Sequence, residues 1–558
     1  MDPRSDEVRH QLSRRGLLGL GVGLAGAAVL SACSDGSSPS VPSGSKAALL
    51  PDPTTPKALP GQLVSTVANV PLAYTEYPAQ PYQSVASPPG TGGDVTTMQI
   101  NFGAPPPALS GNKWQQELNR QLNVNLKATF VTDADLAQKT QTFIASGDIP
   151  DIFYLNLPKV PAALTAILQG AFLDLSKYIG GSADKTYPNL GALPALSWKN
   201  SAIKGGIFGV PRPVPVVNSG VPLYRADWQR KLGIPMPTKA DDVFALLSAF
   251  ANNNPTGTGK KDSWAFGEIS PWDQEFVLTM FGVPNNWRKN PDGSLTKDIE
   301  TDEFEAALEF LNKLWKAGAF HPSAVSNTWN QAQDLWVGGS TAFFGGNMLA
   351  SLTYLLGTPM KGVNDLVADI KPFVAPGHDS GAAKFYQGSG NFGMFAIPSK
   401  LAKDEKRVQE LLRILDYFAA PFGSAEFTLI NYGIKGHNFD YKNAIPTVSD
   451  DVALQSEMSG QYVPSPGEGS IYIPGPPNQS AVVQHYFEQV MPTSIADPTI
   501  NSISKTRGAK GASLDQIIHD LFVDIVSGRK SLTELKGLRS QWKSQGGDTV
   551  RREFQDAA

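Results

Sequence analysis

Val95-Thr96-Thr97-Met98-Gln99-Ile100-Asn101-Phe102 reads as an extended strand, and together with the segments downstream of it this strand decides the fold. Residues 113–122 carry helical spacing, 124–131 alternate as a second strand, 133–145 return to helical spacing, and Asp151-Ile152-Phe153-Tyr154-Leu155 is a short apolar strand. Period-2 and period-3.6 segments alternating at these intervals predict a βαβ start with parallel strands. The fold class expected is therefore α/β.

Upstream, prolines persist through 61–94 (Pro71, Pro78, Pro81, Pro88, Pro89), but Leu72, Tyr74, Tyr77 and Tyr82 stand among them. An extended strip packed on the body is expected there. Residues 34–60 are Ser, Pro, Gly and Ala with almost no aromatic residue, a composition that buries too little surface to fold. As a tether they would reach roughly 30 Å as a coil and roughly 80 Å if stretched. Ahead of them, the charge-free, Gly-rich apolar run 17–32 is 16 residues long, short of the roughly 18 needed to span a bilayer. It reads as the h-region of an export signal. Ser13-Arg14-Arg15 with the leucines behind it resembles a twin-arginine signal over 1–32, and Leu30-Ser31-Ala32-Cys33 matches a lipoprotein cleavage box. Cys33 would then carry a diacylglyceryl group, whose two or more chains anchor stably where one holds only marginally.

Cys33 is the single cysteine of 558 residues, so the body has no disulfide and no thiolate site to draw on. The chain is 41% hydrophobic and 18% charged, as in soluble globular proteins. With a net charge of −4 and no long Lys/Arg block after the signal, nucleic acid is not an expected partner. The roughly 460 residues after the strip suffice for two or more lobes. Thr238 precedes an amphipathic helix with Val243, Phe244, Leu247, Phe250 and Ala251 on one face and Asp241 at the capping-box position. A second helix runs over 302–317 with Gly318 as its stop, and a third over 404–418.

Separated stretches resemble the extracellular solute-binding proteins of the carbohydrate class (family 1), in their large lipoprotein branch. They are Tyr224-Arg225-Ala226-Asp227-Trp228 continuing to Leu232-Gly233-Ile234, the loop from Asn254 to Asp262, residues 310–320, 390–398, Asn431-Tyr432-Gly433-Ile434-Lys435-Gly436, and the tail from Ser527 to Asp548. The resemblance implies a two-lobed, periplasmic-binding-protein-like (type II) fold with crossing hinge segments. One lobe would comprise 95–212 with about 390–450, the other about 213–389 with 451–550. It also implies a monomer that closes around a sugar and delivers it to the permease of an ABC importer, with no enzymatic activity.

By the same resemblance, the cleft takes Tyr154 and Asn156 after the third strand, Arg212 at a first crossing, and Trp272, Asp273 and Gln274. It also takes Asn347, and Asn391 with Phe392 at a second crossing. Sugars need aromatic planes and planar polar groups, which these residue types supply. Trp272 lies in a loop before a helix rather than on an apolar stripe; Trp228 and Trp315 lie on amphipathic helices and read as core, while Trp329 and Trp336 stay open. Arg212 could hold hydroxyls or a carboxylate, or join the lobes. Gly388-Ser389-Gly390-Asn391-Phe392-Gly393 fits a dinucleotide-binding pattern but runs into a strand rather than a helix, so a crossing strand is expected. In the branch's calcium-like loop the alternate positions hold Asn254, Thr256, Thr258 and Asp262; one carboxylate predicts a retained turn with weak or no calcium binding. The rival class is a glycan-active enzyme using Glu268, Asp273 or Glu275 as a carboxylate pair. A sensor with the same fold is a third reading.

Overall fold

The βαβ start forms because its two inner strands are largely buried, its edge strand alternates, and its helices bury one face each. In the computed structural model, β1 (Asp94–Asn101), β2 (Asn125–Thr132) and β3 (Ile152–Leu155) run parallel, linked by helices Lys113–Leu122 and Leu136–Ser146. Two later strands, β4 (Val210–Pro213) and β5 (Asn391–Ala396), complete a five-stranded sheet in the order β2-β1-β3-β5-β4, with β5 antiparallel to both neighbours. The helix Lys113–Leu122 starts where Asn112 accepts the Gln115 N–H and ends where Asn123 turns left-handed. The residues described are 49–102, 105–217, 221–345, 363, 369–458, 469–474, 479–500 and 502–557. The export signal, Cys33 and Asn347 lie outside them.

Two apolar cores divide the body. The first contains Val95, Trp114, Phe153, Trp198, Phe395, Leu411 and Met458. The second contains Trp228, Phe250, Phe266, Leu311, Trp336, Phe343, Ile471, Phe487 and Phe522, built round a small antiparallel sheet of Phe343–Phe344, Leu223–Arg225 and Ile370–Pro372. Between the lobes the chain crosses at 214–216 and 388–390, where Val214 N–H donates to Gly390 O (3.0 Å) and Gly388 N–H to Val216 O (2.8 Å). Among the described residues, no helix is long and apolar enough to cross a membrane.

Three expectations are corrected. The helix after Thr238 spans Ala240–Asn252, and Thr238 pairs through its N–H (3.0 Å) and hydroxyl (2.8 Å) with Asp242, not Asp241. Residues 50–54, read as part of the tether, are docked on the first lobe: Asp52 N–H donates to Gly181 O (2.6 Å), Gly181 N–H to Leu50 O (2.9 Å) and Thr54 N–H to Gly191 O (2.9 Å). Helix Val452–Glu457, read as opening the second lobe, belongs with the first, because Glu457 accepts the Trp114 N–H (3.3 Å) and contacts His437.

Candidate functional site

On the first lobe the candidates gather at the ends of β3, β4 and β5. Phe392 is half-buried, with the Arg212 guanidinium carbon 5.5 Å, the Lys159 ammonium 5.9 Å and the Phe102 ring 5.9 Å from its ring centre. Cations over a ring face are held by its quadrupole. Tyr154 is wholly buried, and its hydroxyl donates to Phe392 O (3.1 Å) while accepting from the Asn156 amide (3.1 Å). It supports Phe392 from beneath and offers no surface of its own. Asn391 spends its amide on Ser197 O (2.9 Å), so it braces the crossing strand; its Oδ1 is buried without a hydrogen-bond partner among the described residues. Phe102 and Lys159 escaped the sequence reading. Each follows the carboxyl end of a parallel strand, where ligands gather in α/β sheets, and that rule alone would have flagged them.

On the second lobe Trp272 is 39% exposed, on the turn before helix Glu275–Met280. The turn is fastened by its neighbours. Gln274 accepts the Ser270 N–H (2.8 Å) and donates to Asp273 (2.6 Å) and Glu268 O (3.2 Å); Asp273 accepts the Gly345 N–H (2.7 Å). Asp273 and Gln274 are almost fully buried, and their hydrogen bonds brace the turn that carries Trp272. Of the tryptophans left open, Trp336 is core against Phe344, and Trp329 lies half-buried on the same ring.

Burial raises the Glu268 carboxyl to about 7. Burial, and then the charge of Glu268, hold Asp273 well above the carboxylate range. The pair titrates as a unit. Because the folded state binds a proton more tightly than the unfolded chain, the stability this pair contributes is present at low pH and lost as pH rises towards about 7. Glu268→Gln should flatten that decline. Melting curves at intervals from acid to mildly alkaline pH check this, and parallel profiles for the two proteins would contradict it.

Between the lobes, beside the crossing strands, lies a cavity of about 370 Å³, walled by Pro158 and Asn200 on one side and Asn286, Trp287 and Lys297 on the other. Its polar groups are already engaged: Asn286 donates to Asp497 (3.0 Å), Lys297 pairs with Asp298 (2.8 Å), and Arg507 with Asp515 (2.7 Å). Gly388 and Ser389 of the glycine-rich crossing line it, but none of the ligand-binding candidates does.

The loop from Asn254 keeps the shape of a calcium loop. Gly259 at its sixth position has φ +72°, and its N–H donates to Asn254 Oδ1 (3.1 Å). The donor set does not fit the ion. Asp262 is engaged by the hydroxyls of Thr256 and Thr258 (both 2.7 Å), the twelfth position, where a bidentate Glu is wanted, is the buried Ala265, and the Lys231 ammonium donates to Pro255 O (2.6 Å). Exchanging calcium for chelator should leave the melting temperature unchanged; a rise with millimolar calcium would overturn that.

Two lobes with separate cores, joined by paired crossing strands, give the two-lobed architecture of the solute-binding proteins. The chain belongs to the bacterial extracellular solute-binding protein family, whose profile matches residues 113–416. It is 26% identical over 455 residues to the lipoprotein LipO of Bacillus subtilis (strain 168), covering 78% of this chain and 87% of that protein. Its fold is similar to that of alginate-binding protein AlgQ2, with a TM-score of 0.61 and 18% identity, over 86% of this chain and 99% of that one. It is likewise similar to the Streptococcus pneumoniae ABC-transporter substrate-binding protein FusA in complex with kestose, with a TM-score of 0.58 and 18% identity, over 83% and 98%.

Proposed function

We propose that the protein captures a carbohydrate, of oligosaccharide size, between its lobes and passes it to the permease of an ABC importer. A lipid on Cys33 holds it at the outer face of the cytoplasmic membrane. The observation that carries this reading is one partly open aromatic plane on each lobe: Trp272 on a braced turn, and Phe392 flanked by Arg212 and Lys159. Flat rings stack on the apolar faces of sugars, while Arg212 and Lys159 meet hydroxyls at the edge. Alginate binding by AlgQ2, the kestose complex of FusA and the lipoprotein name of LipO all support it.

Binding without turnover also suits the carboxyls. Both Asp273 oxygens are taken by Gly345 and Gln274, and Glu268 accepts from Ser270 (3.2 Å), so this pair holds the scaffold rather than facing a glycosidic bond. A thermal-shift panel of neutral and acidic oligosaccharides tests the proposal. A true ligand at 100 times its dissociation constant adds about 2.7 kcal/mol of stability. Failure of every saccharide, or release of new reducing ends, would refute it.

A further inference from the structure

The segment that leads into the body crosses between the lobes twice more than the fold requires. Residues 50–54 are bonded to the first lobe at Gly181 and Gly191. The chain then passes to the second lobe, where Gln62–Leu63 pairs with Leu72–Tyr74 and the latter pairs in parallel with Ser470–Ile471. There Ala73 enters the second core, and the Gln484 amide donates to Leu63 O (3.1 Å) and Pro71 O (3.0 Å). It returns at once to the first lobe. Ala425 N–H donates to Tyr82 O (2.7 Å), the Ser84 and Val85 N–H groups to the Glu426 carboxylate (3.0 and 3.1 Å), and Thr91 N–H to Glu410 (2.7 Å).

At the return lies a third apolar cluster, separate from both cores, of Tyr74, Tyr77, Phe422, Phe427 and Tyr472. Tyr77 sits at its centre, 4% exposed, with ring-centre distances of 5.2 Å to Phe422, 5.5 Å to Tyr472 and 5.4 Å to Tyr432. Its hydroxyl bonds Thr428 (2.7 Å). Phe422, Thr428 and Tyr432 lie in the first lobe's share of the chain, whereas Tyr472 is flanked by Ile471 and Ile473 of the second core. One side chain from the entering segment thus touches groups anchored in both lobes.

We propose that residues 49–92 form a strap across the hinge, and that Tyr77 is a positioning residue that sets the open–closed balance of the lobes. A ligand closes a hinge only as far as its preference for the closed state outweighs the cost of getting there. A strap that bears on both lobes changes that cost, and hence affinity, without touching the ligand.

The test needs no sugar, so it stands or falls apart from the carbohydrate reading. Spin labels are placed on the exposed Lys139→Cys of the first lobe and Lys313→Cys of the second, in the full chain carrying Cys33→Ser. The inter-label distance distribution is compared with and without Tyr77→Ala. A narrow distribution should broaden and shift in Tyr77→Ala and be restored by Tyr77→Phe, which keeps the ring. Tyr77→Leu, which keeps apolar bulk, is read the same way should Tyr77→Ala not fold. A distribution unchanged by loss of the ring would overturn the proposal.

Discussion

Trp272→Ala should cut the stabilisation given by a saccharide at 100 times its native dissociation constant to about a third or less, while leaving the unliganded melting temperature nearly unchanged. The ring is 39% exposed, and the turn beneath it is held by Ser270, Asp273 and Gln274, none of which the substitution removes. Loss of a central aromatic contact costs on the order of 2 kcal/mol or more, about a 30-fold weakening. Ligand titrations followed by melting read both quantities at once. A large fall in the unliganded melting temperature would show that Trp272 is a core residue instead.

Gly393→Ala should act in the opposite way, through the fold. At Gly393 φ is +78°, and an added Cβ would stand 2.5 Å from Tyr154 Cε2, 2.6 Å from its Cζ and 2.7 Å from Leu155 O. Left-handed strain and overpacking together should remove roughly 2–5 kcal/mol of stability. The displaced Tyr154 ring would also release the Phe392 carbonyl it holds, so ligand binding should weaken in the molecules that stay folded. Urea unfolding measures the first effect. A loss below about 1 kcal/mol would mean that the β3–β5 contact yields without strain.

The elements legible in the sequence were those made by local periodicity. The helix Lys113–Leu122 is bounded by Asn112 and Asn123, residues whose side chain and backbone freedom announce an end. The strand at Asn391–Ala396 was readable because Pro398 and the apolar run 394–397 exclude a helix there. What stayed hidden depended on distant partners. Nothing local in 49–60 reveals that carbonyls of Gly181 and Gly191 await it, and composition argued for a free tether. Within the candidate site, residue type does not by itself reveal which groups a side chain will bond. Tyr154, Asp273, Gln274 and Asn391 were placed near the cleft but hold other groups in position, since hydroxyl, carboxyl and amide groups serve a backbone as readily as a sugar. Phe102 and Lys159 went unread because their value lies in meeting Phe392, which is more than two hundred positions away in sequence.

Glu268 and Asp273 bear on how the second platform is kept in place. Buried carboxyls are costly to desolvate, and here the hydrogen bonds of both help to fix one turn.

In the proposed function the two lobes close on an oligosaccharide that leaves chemically unchanged. Small-angle X-ray scattering of the protein, before and after saturation with the saccharide that raises its melting temperature, tests it most directly. The radius of gyration should fall, and recover fully when the sugar is dialysed away intact. An unchanged radius at saturation, or recovery of a shortened sugar, would contradict it.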